Sequence, residues 1–181
     1  MKKRYISVLL VLVILLTSSC SITKTKDLSA YPDLLHGTTN FSLSDHGYNA
    51  TLVTEGSGVK VSASSSSLRD GGWLVLMYYD GQTRNLLADA AGDKYTIVFE
   101  AKTNTAGINI PVSHRNGNGQ ETQIEFGTAT IPKANKWIQI ILTGELLGVP
   151  ANTQGLYFNL SFIPANTEIS IRNLKLIKGT V

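Results

Sequence analysis

The chain has 181 residues, enough for one domain with a real core. Its formal charge of +3 comes from sixteen Lys and Arg against thirteen Asp and Glu, but Lys2, Lys3 and Arg4 lie in a leader that reads as removable, and without residues 1–19 the count is thirteen of each. No basic run survives, so an electrostatic footprint for nucleic acid is absent and no nucleic-acid partner is expected; the single cysteine excludes an intrachain disulfide.

Residues 1–19 have the layout of a secretory signal: a basic start, an apolar run from Ile6 to Leu16 broken only by Ser7, then Thr17, Ser18 and Ser19 before Cys20. A membrane span needs roughly 20 apolar residues, and this run is too short. A lone cysteine directly after an exported apolar segment resembles the lipobox of bacterial lipoproteins, with Ser18 and Ser19 fitting the positions before it and Thr17 standing where leucine is usual. The resemblance implies lipidation of Cys20 as the first residue of the mature chain, and with it export to the cell envelope and a lipid anchor in a membrane. Each buried methylene would add about 0.8 kcal/mol to anchoring. Residues 20–30 then read as the lipidated cysteine and a flexible polar tether, and residues 31–181 as one domain.

Tyr31 to Phe41 reads as turn residues around the apolar pair Leu34–Leu35. Strands are predicted at Asn49–Thr54 and Gly58–Ala63, with Glu55-Gly56-Ser57-Gly58 as the turn between them. Ser64 to Ser67 is a loop, and Trp73 to Tyr79 an aromatic-rich strand after the Asp70-Gly71-Gly72 turn. Asn85 to Ala90 is no more than one helical turn. Tyr95, Ile97, Phe99 and Ala101 alternate with Thr96, Glu100 and Lys102, which predicts a core-facing strand with that second set solvated. Ile108, Ile110 and Val112 share a face with His114, opposite Asn109, Ser113 and Arg115; the Asn116-Gly117-Asn118-Gly119 turn then predicts a hairpin whose return strand sets Thr122, Ile124 and Phe126 against Glu121, Gln123 and Glu125. Trp137 to Thr143 follows, with Trp137 as a lid on the hydrophobic layer. Leu156 to Phe162 is predicted as one strand with Tyr157, Asn159 and Ser161 on its wet face. In the last strand Ile169 and Ile171 differ in parity from Leu174 and Leu176, which predicts a bulge at Arg172-Asn173.

Nine or ten short strands with near-regular turns and no useful amphipathic helix give an all-β sandwich or barrel. Gly92–Lys102, Asn135–Thr143, the Leu-Tyr-Phe-Asn-Leu strand and Ile169–Leu176, in that order, resemble the jelly-roll carbohydrate-binding modules of families four and nine and their relatives in phage tail and surface proteins. Leu34 to Phe41 is also similar to the start of such phage-associated domains. The likeness covers nearly all of residues 34–178. It implies a two-sheet antiparallel β-sandwich (jelly roll, galactose-binding-like), a concave sugar-lining sheet and no catalysis. Asn173 stands where these modules commonly carry an aspartate, which argues against a structural calcium ion, so no cofactor is expected.

A sugar site needs aromatic faces for pyranose C–H groups and polar side chains for hydroxyls. Tyr157 and Asn159 share a polar face, as do Gln123 and Glu125, and Arg115 lies on the strand paired with the latter; Trp73 and Tyr79 share a parity on theirs. These seven residues are the candidate ligand-binding set. The alternative is an ordinary solvated sheet face, with Trp73 a core residue. A glycan or polysaccharide is the expected partner. A surface or phage-derived structural protein that contacts another protein through the same sandwich is the second reading. A glycoside hydrolase is the weaker alternative: Glu121 and Glu125 are four strand residues apart, roughly 13 Å, whereas glycosidase carboxyls sit about 5 Å to under ~10 Å apart. His36, His46 and His114 lack metal-ligand spacing, no serine elbow occurs, and no enzyme is expected.

Overall fold

The computed structural model describes residues 25–35, 40–65, 72–78, 90–116, 121–148 and 154–181. It contains β1 (Phe41–His46), β2 (Ala50–Glu55), β3 (Gly58–Ala63), β4 (Trp73–Tyr78), β5 (Lys94–Thr103), β6 (Ile108–Asn116), β7 (Thr122–Ile131), β8 (Ile138–Glu145), β9 (Gln154–Asn159) and β10 (Thr167–Lys178). They form two antiparallel five-stranded sheets, a front sheet ordered β1-β4-β9-β6-β7 and a back sheet ordered β2-β3-β10-β5-β8. Among the described strands, only β2–β3 and β6–β7 are sequence neighbours paired within one sheet. The other connections cross between sheets, the jelly-roll form of an all-β sandwich.

The alternation read from the sequence fills the space between the sheets. The back sheet sends in Val59, Val61, Tyr95, Ile97, Phe99, Ile169 and Ile171, and the front sheet Leu74, Leu76, Ile110, Val112, Leu156 and Phe158, all almost fully buried. Phe99 and Phe158 meet edge-to-face across the layer with centroids 5.2 Å apart, joining the two sheets at the centre. One lateral seam is closed where β8 bends against β7. A Cβ on Gly144 would come within 2.6 Å of the Ile124 side chain and 2.5 Å of the Glu125 carbonyl oxygen, so only glycine allows that approach.

The bulge expected in the last strand is present: the β10–β5 register shifts between Arg172 and Lys175, and Asn173 takes φ +52°. Other expectations are corrected. Phe41–His46, where no strand is predicted, is the edge strand β1, in which Phe41 and Leu43 are only half-buried. The strand through Tyr157 stops at Asn159, whose Oδ1 accepts from the Ser161 N–H at 3.0 Å and turns the chain. The Ser161 carbonyl is then held by the Tyr48 hydroxyl, Ile163 takes the buried position, and Phe162 stands 68% exposed. Thr96 is fully buried, because the chain after β10 folds over it: its hydroxyl donates to the Gly179 carbonyl at 2.7 Å and lies 2.9 Å from the Thr143 hydroxyl. Trp137 does not lid the core. It lies half-buried against the Arg172 guanidinium, 3.9 Å from the ring centroid, with the Lys102 ammonium at 5.0 Å.

Residues 25–30, placed in the tether by the sequence, lie on the outer face of the back sheet. Leu28 is buried in a small cluster with Val98 and Ile177, flanked by Ile141 and Val181. Lys26 pairs with the Gln139 amide through its backbone, N–H to Oε1 at 2.8 Å and carbonyl from Nε2 at 3.0 Å, and the Lys175 ammonium donates to the Leu28 carbonyl at 2.8 Å. Residues 1–24, with the leader and Cys20, and the 117–120 turn lie outside the described residues, as does nearly all of the 85–90 helical turn.

Candidate functional site: the outer face of the front sheet

The front sheet aligns its outward side chains in rows. Ser42 pairs with Met77, Met77 with Tyr157, Tyr157 with Ser113, and Ser113 with Glu125, so one row crosses all five strands. The next row runs Ser44, Val75, Asn159. Between these rows a depression of about 80 Å³ is lined by Val75, Pro111, Ser113, Arg115, Glu125, Tyr157 and Asn159. Four of the predicted residues, Arg115, Glu125, Tyr157 and Asn159, therefore meet in one place. The Arg115 Nε donates to the Ser113 hydroxyl at 2.9 Å, which lays the guanidinium along its own strand. Tyr157 lines the depression but is only 9% exposed, so its ring does not stand free of the sheet.

Local sequence explains this geometry. β6 alternates without interruption, which sends Pro111, Ser113 and Arg115 outward and Ile110, Val112 and His114 inward. A proline is tolerated here because its missing N–H falls where β9 has already turned away at Asn159: the β6–β9 pairing begins only at Val112. β7 carries two register shifts against β6, opposite Val112/Ser113 and His114/Arg115. Gly127, at φ +97°, supplies the left-handed backbone for the first, which brings Glu125 opposite Ser113.

The second shift corrects the expectation for Gln123. It occupies the extra position between Ile124, opposite His114, and Thr122, opposite Arg115, and it is 6% exposed and no part of the depression's lining. A bulge moves a residue out of the period-2 pattern, and no glycine or proline marks this one in the sequence. Trp73 is on the same outer face, two residues along β4 from Val75, and 47% exposed rather than in the core. Its ring stacks on His46 with centroids 4.6 Å apart and planes 17° from parallel, and its Nε1–H donates to the Ser44 hydroxyl at 2.9 Å. His46 was missed together with β1. The signal for it was the Phe41–Leu43 alternation, too short to stand out. Tyr79 lies outside the described residues.

Directly behind Ser113 and Arg115, His114 is fully buried, as its parity with Ile108, Ile110 and Val112 predicts. Burial pulls its pKa down from 6.5 to about 4, and neither ring nitrogen has a hydrogen-bond partner among the described residues. It is a neutral core residue at physiological pH. Among the described residues Glu125 is the one carboxylate lining the depression, so the paired carboxyls of a glycosidase do not meet among them. No group of three or more His, Cys, Asp or Glu suited to a metal ion occurs among the described residues.

No protein-family model matches this sequence, and no curated protein matches it. Among solved structures the chain is similar to the N-terminal cellulose-binding domain of a Cellulomonas fimi β-1,4-glucanase, at 13% identity and a TM-score of 0.56, over 77% of this chain and 90% of that one. It is also similar to a family four carbohydrate-binding module at 15% identity and a TM-score of 0.52, over 77% and 95% of the two chains. A third is the enzymatically active domain of a bacteriophage CBA120 tailspike protein, at 18% identity and a TM-score of 0.53, over 78% of this chain and 20% of that one. At these identities the likeness establishes the fold: the chain is a two-sheet jelly roll of the form seen in carbohydrate-binding modules and in a phage tailspike.

Proposed function

We propose that this protein is a glycan-binding module without catalytic activity, exported and held at a membrane through a lipid on Cys20, and that it takes its ligand on the outer face of the front sheet. The observation that carries the binding reading is the convergence of Tyr157, Arg115, Glu125 and Asn159 on one depression, with Trp73 on the same face. An aromatic ring, a guanidinium, a carboxylate and an amide together serve both the C–H and the hydroxyl groups of a sugar. Two of the similar structures are described as binding cellulose or carbohydrate, which supports the same ligand class. The signal-like leader and the position of Cys20 support export and anchoring.

A glycan array probed with residues 25–181 tests the binding reading, followed by Trp73→Ala and Arg115→Ala in any hit. Each substitution is expected to weaken binding about tenfold, the effect of losing roughly 1.4 kcal/mol from a contact residue, with the thermal midpoint little changed because both side chains are partly exposed. Binding to no glycan, together with clean capture of a protein that Trp73→Ala abolishes, would replace this reading with protein contact through the same face.

A further inference from the structure

A second groove, of about 460 Å³, lies at the end of the sandwich where β2 and β10 begin and β3 ends. Its floor is a row on the outer face of the back sheet. Thr51 is the register partner of Ser62, and Ser62 of Glu168, so three polar side chains stand across three adjacent strands at intervals of roughly 4.8 Å. The rim is fixed by Asn104. Its Nδ2 donates to the Asn166 carbonyl at 2.9 Å, its Oδ1 accepts from the Glu168 N–H at 2.9 Å, and its own N–H donates to the Glu168 carbonyl at 3.2 Å. Two loops are thereby tied into one wall before any ligand arrives. Thr167 belongs to the same wall. It is fully buried, and its hydroxyl has no hydrogen-bond partner among the described residues.

Among the described residues the lining consists of hydroxyls, amides, one alanine and one carboxylate, with no lysine, arginine or aromatic ring. An anion would find no cation there, and an apolar ligand would strand polar groups that now face water. The Lys60 ammonium lies 4.0 Å from this carboxylate but closer to Glu55, at 3.5 Å, so the groove keeps part of one negative charge, which a neutral polyol tolerates and an anion does not. Its volume falls within the roughly 300–1,000 Å³ of small-molecule sites, far more than an ion requires.

We propose that this groove is a second saccharide site, which grips the edge of a neutral, hydroxyl-rich sugar of one or two rings by hydrogen bonds without stacking. The inference shares a ligand class with the front-face reading and rests on none of its residues. Thr51, Ser62 and Glu168 present donors and acceptors at regular intervals to successive hydroxyls, and the Asn104 wall closes one end. With the front face, it makes the chain bivalent for a single polysaccharide, raising avidity without strengthening either contact.

The test is amide NMR of the purified full-length chain titrated with cellobiose, lactose and N,N′-diacetylchitobiose, repeated on Trp73→Ala and on Ser62→Val with Glu168→Ala. The expected result is saturable shifts of the Thr51, Ser62 and Glu168 amides with at least one sugar, unchanged in Trp73→Ala and weakened tenfold or more in the floor variants. Those substitutions sit on exposed or half-exposed strand positions, where a valine is well tolerated. Shifts confined to the front sheet would overturn the groove and leave the front face standing. Groove shifts without front-face shifts would do the reverse. Shifts at the groove that persist undiminished in the floor variants, or no groove shift with any of the three sugars, would also overturn it.

Discussion

His114 couples the core to pH. Its imidazole has a pKa of about 4 when folded and 6.5 as the reference value, and burial is the cause. Between these values the unfolded chain takes up a proton that the folded chain refuses, so this contribution to stability is whole above pH 6.5, declines as pH falls toward 4, and is level below that. At 1.36 kcal/mol per pH unit the total is about 3 kcal/mol. His114→Leu keeps the position apolar and removes the titration. Urea unfolding of both proteins at neutral pH and near pH 4.5 is expected to show the wild type losing about 2–3 kcal/mol more than the variant. Equal losses would mean that His114 finds a partner or water that lets it charge in place. The histidine's position was legible in advance, because β6 keeps strict alternation from Ile108 to Arg115. The same kind of regularity, in β6 for Arg115 and in β9 for Tyr157 and Asn159, placed these three on the outward face of the front sheet. Gln123 was misplaced because its bulge is set by where β7 meets β6 and β8: its carbonyl accepts from the Leu147 N–H at 2.8 Å, a contact between distant segments that local pattern cannot report.

At the scale of the element, the most constrained place is where β3 passes the β10 bulge. A Cβ on Gly58 would lie 2.6 Å from the Arg172 Cβ and would collide with the Ile171 carbonyl oxygen. Arg172 cannot easily give way. Its Nε is bonded to Glu100 Oε2 at 2.6 Å, the Asn173 amide reaches the same oxygen at 3.2 Å, and the guanidinium rests on Trp137. Gly58→Ala therefore forces a backbone shift, with an expected cost of about 1–3 kcal/mol. Gly148→Ala, where an added Cβ meets nothing within 4 Å, is expected to change stability by no more than about 0.5 kcal/mol. Thermal or denaturant midpoints of the two variants decide the matter, and similar values for both would show that the bulge yields. The bulge was visible in the sequence as a change of parity between Ile171 and Leu174, and the strand boundaries of β3 and β5 were close to those observed. Local pattern does not report what a strand's outer face touches. Thr96 and Trp137 looked solvated and core-facing respectively, and both are decided by segments far away in sequence: Gly179 for the one, Arg172 and Lys102 for the other.

For the molecule as a whole, the docked N-terminal segment relates the binding face to the proposed anchor. Leu28 and the Lys26–Gln139 pair fix residues 25–30 on the outer face of the back sheet, opposite the front-sheet depression. A lipid on Cys20 would lie within a covalent reach of about 20 Å of Lys26, at 3.3–3.6 Å per residue. The sandwich would then be held close to the membrane at the Val98–Ile177 end of its back sheet, leaving the front face and the groove at the opposite end of β10 open to a polymer in the surrounding space. A long free tether, as residues 20–30 first suggested, would have set no orientation. Two substitutions separate the parts of this picture. Cys20→Ser is expected to abolish incorporation of labelled palmitate and to move the protein from the membrane fraction to the soluble fraction, while glycan affinity of the purified chain stays the same. Leu28→Glu puts a charge into the Val98–Ile177 cluster, and it is expected to leave lipidation intact while releasing residues 25–30 to proteolysis, since a buried unpaired carboxylate cannot be kept in that contact. If Cys20→Ser remains membrane-bound and unlabelled like the parent, the anchor is wrong and the leader is retained or cleaved by another route. If Leu28→Glu is as resistant to protease as the parent, the segment is held by its hydrogen bonds alone, and the orientation then rests on Gln139 and Lys175.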